Sequence, residues 1–454
     1  MKRLIIYVVA LFGACSLWAQ SEELTMDRCV ELALENNKQI KAAGRQTAGA
    51  RHMMRSMRGN FFPDIQAYGT ALHHAAGGSY DIPSFEVPVM KPSTDAQHPM
   101  LPAGTFIYFP GYKLNYELDN IYTWGVSFTQ PVFTGGKIIS GFKAARAGYH
   151  MAQQAERLTK TEVIVSTSEA YALLVKAGQM RQVARSYMEV VESIMKDVQN
   201  AYDHGLATKN DLLKVRVRLG DGELAVRKAE NAHRLASMNL CHYIGRPLGE
   251  DICVSSKYPA AGPAGLEQLD ITLRPEYAIL REKEEIARHR MGVERAGLLP
   301  QVGVKGSYDY LNGAKVNDTK LIDKGGLSIV LNVKLPIFHF GERIGKMNAA
   351  RAELLRTRYE REDLNEKMTL ELAKARNNLE EAALEAEIAD RNLSQAEENM
   401  RVSRRQYEVG METLSDQLEA QTLWQQANET RVDAHFKEFL KYIEYLKAAG
   451  LLGN

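Results

Sequence analysis

Charge imbalance and long apolar segments are both missing from this 454-residue sequence. Its 57 Lys and Arg residues are balanced by 56 Asp and Glu residues, so the basic surface of a nucleic-acid-binding protein is not expected. No run of about 18 apolar residues occurs, so no transmembrane helix is expected in the mature chain. Hydrophobic residues make up 45% and charged residues 25%, which excludes a disordered or collagen-like chain. The same composition fits either a coiled coil or a water-filled membrane barrel.

Cysteine is scarce as well, with four in the chain. Removal of a signal peptide would leave Cys29, Cys241 and Cys253, an odd and widely spaced set that does not form a disulfide framework. Two interpretations remain for these residues, a Cys241–Cys253 bridge and buried free thiols.

The N-terminus has the features of a secretory signal peptide over residues 1–19. A basic start is followed by a short apolar run and a small-residue cleavage point at Ala19-Gln20. The protein is therefore expected to leave the cytoplasm. An alternative is a lipoprotein box, Phe12-Gly13-Ala14-Cys15, in which Cys15 would carry the lipid.

Proline is absent from two long stretches, between positions 131 and 247 and after position 336. Both stretches are rich in strong helix formers, and proline would break such helices. They predict two long helical hairpins, residues 137–245 and 341–448. Within them apolar residues recur at intervals of seven, one position being small, which is typical of a coiled-coil seam. The small positions include Ala375, Ala382 and Ala389.

The two halves of the chain resemble each other. Pro131 recurs as Pro336 and Gly205 as Gly410, each 205 residues later, which indicates an internal duplication. Upstream, Phe62-Pro63 recurs as Leu299-Pro300, 237 residues later, so the first copy holds 32 additional residues. These fall within residues 73–120, predicted as a long loop, whereas the counterpart 311–326 is predicted as a short loop.

Four segments alternate apolar and polar residues with the period of a β-strand: 64–72, 121–131, 301–310 and 327–335. Their lengths suit transmembrane strands of about 9–11 residues, although a half-buried sheet in a soluble protein alternates in the same way. Four strands cannot close a barrel, and an open edge cannot lie in lipid. Several copies would have to combine, two supplying eight strands or three supplying twelve.

The order of helix, strand pair and long helical hairpin, repeated twice, resembles that of the outer-membrane factor family, the TolC-type outer-membrane efflux proteins. The resemblance covers nearly the whole mature chain. Three motifs support it: an opening helix that begins Leu24-Thr25-Met26-Asp27, the junction Gln130-Pro131-Val132-Phe133, and the paired Tyr-x-x-Gly-x-x-Thr-x-x-Asp turns.

The resemblance implies a mainly α fold with a β-barrel part. Three copies would share a twelve-strand barrel in the outer membrane of a Gram-negative bacterium and a twelve-helix tunnel in the periplasm. The domains would be a signal peptide (1–19), a first repeat (20–245), an equatorial linker (246–275) and a second repeat (276–454). The chain would passively conduct substrates from an inner-membrane transporter in a tripartite efflux or type I secretion system. Its partners would be outer-membrane lipid and a periplasmic adaptor protein, with no nucleic acid.

The hairpin turns are the candidate adaptor-docking site. The resemblance points to Tyr202, Gly205, Leu206, Thr208, Tyr407, Gly410, Met411 and Thr413. The two threonines have a simpler explanation, because a Thr followed three residues later by an Asp is typical of a capping box at the start of a helix.

Asp416 and Glu419 match two acidic positions near the tunnel entrance of family members, and Tyr407 resembles a position that holds the entrance closed. Asp211 is assigned to the same entrance. Asp416 and Glu419 lie on one helix face, and copies around a three-fold axis would favour cations. A solvated helix face and simple seam packing explain the same residues without an entrance role.

No enzyme is expected, because no G-x-S-x-G, Walker A or H-E-x-x-H motif occurs. His73-His74 has no spaced partner for a metal, so neither a metal nor a cofactor is expected. The alternative function is a periplasmic coiled-coil adaptor or scaffold protein without a barrel.

Overall fold

The computed structural model describes residues 23–73, 76–92, 100–259, 271–317 and 319–453. The predicted signal peptide with Cys15, His74 and part of the predicted equatorial linker lie outside these ranges. The chain divides into two compact units. The first contains the described parts of Met1–His52, Arg146–Ala287 and Glu353–Asn454, and the second contains those of Met53–Ala145 and Arg288–Ala352.

Helices make up most of the chain. They are α1 (Met26–Asn36), α2 (Lys38–Gly59), α3 (Lys137–Asp203), α4 (Lys209–Ile244), α5 (Pro275–Ala296), α6 (Glu342–Glu408) and α7 (Leu414–Ala448), with a short 3-10 turn at Ile271–Leu273. The two longest, α3 and α6, have 67 residues each, which corresponds to about 100 Å of helix. Within the described residues, no helix combines the length and the apolar character that crossing a membrane requires.

The core of the first unit lies where α1, α3 and α4 meet. Leu174, Leu240 and Cys241 are fully buried there, and Leu24 joins it through a backbone bond from its N–H to the Cys253 carbonyl (2.8 Å). All three described cysteines are free, so the Cys241–Cys253 bridge is wrong. Cys29 and Cys241 are buried, whereas Cys253 is exposed and does not fit the buried-thiol interpretation.

A seam of small residues lies on α6. Ala375, Ala382 and Ala389 are buried, as their seven-residue spacing predicts. Ala386 and Ala389 pack with Ala434 of α7. Because an alanine has no side chain beyond Cβ, these positions allow two helices to approach closely.

The second unit is built on antiparallel strands. They are β1 (Asp64–Leu72), β2 (Ala76–Ile82), β3 (Phe85–Pro92), β4 (Met100–Phe109), β5 (Tyr112–Phe133), β6 (Gln301–Val316) and β7 (Thr319–Lys334). One sheet has the order β1-β5-β6-β7, with β2 pairing along the first part of β5. Strands β3 and β4 form a separate two-stranded sheet.

The two faces of the main sheet differ in polarity, as the register shows. One row of paired residues runs through Ile65, Phe128, Gly306 and Ile329. The adjacent row, on the opposite face, consists of Gln66, Ser127, Ser307 and Ser328, where the last two hydroxyls are 2.8 Å apart. The apolar row is exposed at Ile65, Phe128 and Ile329. The sheet therefore presents an unusual exposed apolar face, as the period-2 alternation predicts.

The two predicted loops are wrong. Strands β2, β3 and β4 and the start of β5 occupy most of residues 73–120, and β6 and β7 occupy all the described residues of 311–326 except Asn317. Backbone groups of each strand are satisfied by its hairpin partner, which lets pairing continue through a glycine- and proline-rich sequence. The prolines of β3 and β4 are tolerated because a two-stranded ribbon has only edge strands.

Candidate functional site

Two helical turns, one at each hairpin, have the same backbone geometry. Gly205 and Gly410 both have φ of 75°. The N–H of Leu206 donates to the Ala201 carbonyl at 2.7 Å, and the N–H of Met411 donates to the Gln406 carbonyl at 2.8 Å. These bonds close the last turn of α3 and of α6, and the left-handed backbone that they need favours glycine.

Each turn ends in a capping box, as the Thr and Asp spacing predicts. The Asp211 N–H donates to Thr208 Oγ1 and the Thr208 N–H donates to Asp211 Oδ2, both at 3.2 Å. At the second turn the corresponding distances between Thr413 and Asp416 are 3.3 Å and 3.0 Å. All four side chains therefore have a structural purpose at the starts of α4 and α7.

Apolar side chains protrude from both turns. Leu206 is 84% exposed and Met411 is 79% exposed. Neither contributes to the core of the helices, so folding of one chain gives no reason for apolar residues at these positions. Apolar residues exposed together at a surface are a feature of contact surfaces for other proteins.

A cavity of about 570 Å³ lies beside the turns, between α3, α6 and α7. It brings together three residues predicted from sequence, Leu206 of the first turn and Tyr407 and Gly410 of the second. Tyr202, Met411 and the two capping threonines are not among the residues that line it. Burial raises the pKa of the Tyr407 phenol, so this hydroxyl stays protonated.

Two glutamines that sequence reasoning missed also line this cavity. Gln417 is 8% exposed and Gln421 is 2% exposed. Within the part of the chain that the structure describes, Gln417 Oε1 and Gln421 Nε2 have no hydrogen-bond partner. Leaving a buried polar atom without a hydrogen bond costs about 1–3 kcal/mol of folding free energy. Packing within one chain therefore does not explain why glutamines occupy these two buried positions. A sequence signal was available, since both residues alternate with the buried Leu414 and Leu418 on the apolar face of α7.

The predicted entrance carboxylates have different surroundings. Lys214 Nζ lies 3.7 Å from Asp211 Oδ1 and donates to Ser415 Oγ at 3.0 Å, which joins the starts of α4 and α7. The hydroxyl of Thr208 holds the pKa of Asp211 below its usual value, and Thr413 does the same for Asp416. Glu419 is exposed. In the single chain the two Asp carboxylates stay charged, and both are already engaged in capping.

Among the described residues, no group of three or more His, Cys, Asp or Glu side chains could hold a metal ion.

Long helical hairpins joined to an antiparallel sheet with an exposed apolar face are the architecture of an outer-membrane channel. Comparisons agree: residues 29–246 and 274–436 match the family described as outer membrane efflux protein, and the chain belongs to this family. It is accordingly an efflux or secretion channel of the outer membrane with a large periplasmic part. The adaptor alternative without a barrel is not favoured.

Individual relatives are distant in sequence and similar in fold. The alkaline protease secretion protein AprF of Pseudomonas aeruginosa is 23% identical over 328 residues, which cover 70% of this chain and 67% of that protein. The outer membrane protein TolC of Vibrio cholerae is 19% identical over 357 residues, 76% of this chain and 81% of that protein. Two solved structures, VceC of Vibrio cholerae and the CmeC outer membrane channel of Campylobacter jejuni, each have a TM-score of 0.73. They are 16% and 18% identical, and the matches cover 94% of this chain in both cases and 96% and 85% of those chains.

Proposed function

We propose that three copies of this chain form one continuous channel, with a shared twelve-strand barrel and a twelve-helix periplasmic tunnel. One observation carries the proposal: the main sheet has an exposed apolar face, and its outer strands β1 and β7 each pair on one side only within the described residues. An unpaired edge cannot lie in lipid, so neighbouring copies must complete it. The equal lengths of α3 and α6 support the duplicated unit.

The hairpin turns dock a periplasmic adaptor protein, which connects the channel to an inner-membrane transporter. Leu206 and Met411 supply apolar contacts, and the cavity beside them supplies a recess with two unpaired amide atoms, Gln417 Oε1 and Gln421 Nε2. A partner that offers an apolar side chain next to a backbone amide fits this combination. The channel itself is passive and is not an enzyme, and the transporter drives export.

Mass and conductance test the channel. The protein is extracted from fractionated outer membranes, its mass is measured in detergent, and single-channel currents are recorded in a planar bilayer. We expect a trimer with a measurable conductance. A monomer without conductance would show that the apolar face is covered in some other way and would refute the channel.

Substitutions at the turns test docking. Leu206→Asp combined with Met411→Asp should abolish export while the trimer mass and conductance stay unchanged. The matched control, Leu206→Met with Met411→Leu, keeps the apolar surface and should keep export. Full export by the Asp variant would remove these side chains from the docking surface.

The entrance carboxylates are tested by ion selectivity. Three copies of Asp416 and Glu419 around the channel axis would attract cations. Asp416→Ala with Glu419→Ala should therefore lower the cation selectivity, measured as the reversal potential in a salt gradient. Unchanged selectivity would leave Asp416 as a capping residue and Glu419 as a solvated one.

A further inference from the structure

Strands β2 to β5 form one long hairpin, which we call the arm (residues 76–92 and 100–116). Ile82 pairs with Tyr112, and Phe85 pairs with Phe109 in the same register. Between these pairs the ladder is interrupted, with Pro83 and Pro110 on the two strands. Proline has no N–H to donate to the ladder. The arm therefore consists of a proximal ribbon (β2 with the start of β5) and a distal ribbon (β3 with β4), separated by this interruption of the ladder.

The sequence itself accounts for the interruption. A Cβ at Gly111 would lie 2.8 Å from both the Ile82 carbonyl oxygen and the Ser84 nitrogen. Only glycine fits this contact without a shift of the backbone. Two prolines and a glycine therefore lie where the pairing of the two ribbons is interrupted.

The proximal ribbon is held by the main sheet, and the distal ribbon is not. The Asn317 N–H donates to the Asn115 carbonyl at 2.9 Å, and the Asn115 N–H donates to Asn317 Oδ1 at 2.8 Å. Strands β3 and β4 pair only with each other in the described chain. Strand β5 has 22 residues, about twice the length that spans a membrane. Because the helices follow its other end, the distal ribbon lies on the outer side of the proposed barrel.

The distal ribbon exposes apolar side chains on both faces. Phe85 stacks on Phe109 with ring centroids 5.2 Å apart, on the face shared with Ile107, which is 53% exposed. The opposite face carries Phe106 and Tyr108, which are 58% and 60% exposed. A two-stranded ribbon is marginally stable alone in water, so these two apolar faces need cover.

Charge and geometry indicate what packs on the two apolar faces of the distal ribbon. A membrane surface would cover only one face of the ribbon. A segment that binds an anionic membrane surface carries an excess of Lys and Arg, but in the described arm Asp81 and Glu86 are balanced by Lys91 and Lys113. Neighbouring copies in a three-fold ring would cover both faces, one neighbour on each. They are tethered to the same barrel rim, so their effective concentration is high and no charge repels them.

We infer that the three distal ribbons pack against one another at the three-fold axis, each face on a different neighbour, and narrow the outer mouth of the channel. The inference rests on the proposed trimeric channel. Three ribbons that each contact both neighbours form a ring around the symmetry axis, which is also the axis of conduction, and their six strands enclose a smaller opening than twelve strands do.

Removal of the distal ribbon tests its effect on conduction. Residues 83–111 are replaced by Asn-Gly, so that Ile82 and Tyr112 are joined by two residues, as Val316 and Thr319 are joined in β6 and β7. We expect an intact trimer whose single-channel conductance rises several-fold. If this variant does not fold, Phe106→Asp with Ile107→Asp keeps the ribbon and should raise conductance through repulsion between copies. An intact trimer with unchanged conductance overturns the inference.

Cross-linking tests the contact itself, in a Cys253→Ser background. Ile107→Cys with Tyr108→Cys places one thiol on each face and should join all three chains on oxidation. Each single variant lacks one face and should not give a covalent trimer. Quenching of a fluorescent label at position 107 by brominated lipid, without cross-linking, would assign the ribbon to the membrane and overturn the inference. A wild-type protein that is monomeric or non-conducting would instead refute the channel, and the inference with it.

Discussion

A charge on the apolar face of β7 should destabilise the protein far more than the same charge on the polar face. Ile329 lies opposite Gly306 on the apolar face and is exposed, whereas Asn332 lies opposite Gly303 on the other face. An Arg facing lipid near the bilayer midplane costs about 2–4 kcal/mol. This corresponds to a folding equilibrium about 30- to 900-fold less favourable for Ile329→Arg. Asn332→Arg places its charge in water and should change stability little.

Unfolding in lipid vesicles measures this difference. The fluorescence of Trp124 reports on the strands, because its ring stacks on Tyr310 with centroids 5.3 Å apart. A Trp424→Phe background removes the signal from α7. Both Arg variants are compared with this background by urea titration. Equal destabilisation by the two variants, or a larger effect of Asn332→Arg, would refute a lipid-facing assignment of the apolar row.

Three further predictions concern the helical hairpins and their core. Thr413→Ala removes one side of a capping box and should destabilise the start of α7 by about 1 kcal/mol. Amide hydrogen exchange at the start of α7 should then be roughly five-fold faster. An unchanged exchange rate would contradict the capping role. Because hydrogen bonding lowers the pKa of Asp416, its contribution is present above the unfolded pKa of about 3.9 and is lost as the pH falls through the folded pKa. Amide protection at this turn should therefore be constant near neutral pH and fall in acid, and Asp416→Asn should remove that dependence. Burial raises the pKa of Cys29 to about 11, so a maleimide at neutral pH should label the exposed Cys253 and leave Cys29 unmodified, as mass spectrometry would show.

Features that depend on near neighbours in the chain were predictable. The capping boxes at Thr208 and Thr413 require only a Thr and an Asp three residues apart, and the glycines before them require only a left-handed backbone. The buried alanines of α6 follow from a seven-residue spacing, because helical geometry repeats on that interval. The polarity of each sheet face follows from alternation alone, since successive side chains of a strand point to opposite sides.

Features that depend on distant pairing were not predictable. The arm was predicted as a loop because Pro83, Pro88 and Pro110 interrupt any local strand pattern. Its strands exist because each satisfies the backbone of a partner across the hairpin. The predicted Cys241–Cys253 bridge was wrong for a related reason, since closeness in sequence does not decide whether two thiols come into contact.

The sequence by itself therefore determined the helices, their turns and the polarity of the strands, because these follow from local geometry and periodicity. Only the tertiary structure decided which residues of separate helices share a cavity, as Leu206, Tyr407 and Gln421 do. It also decided that the residues inserted in the first copy form a ribbon in two segments, the outer of which has two exposed apolar faces. Both outcomes depend on the register and packing of segments far apart in the chain, which local patterns do not specify.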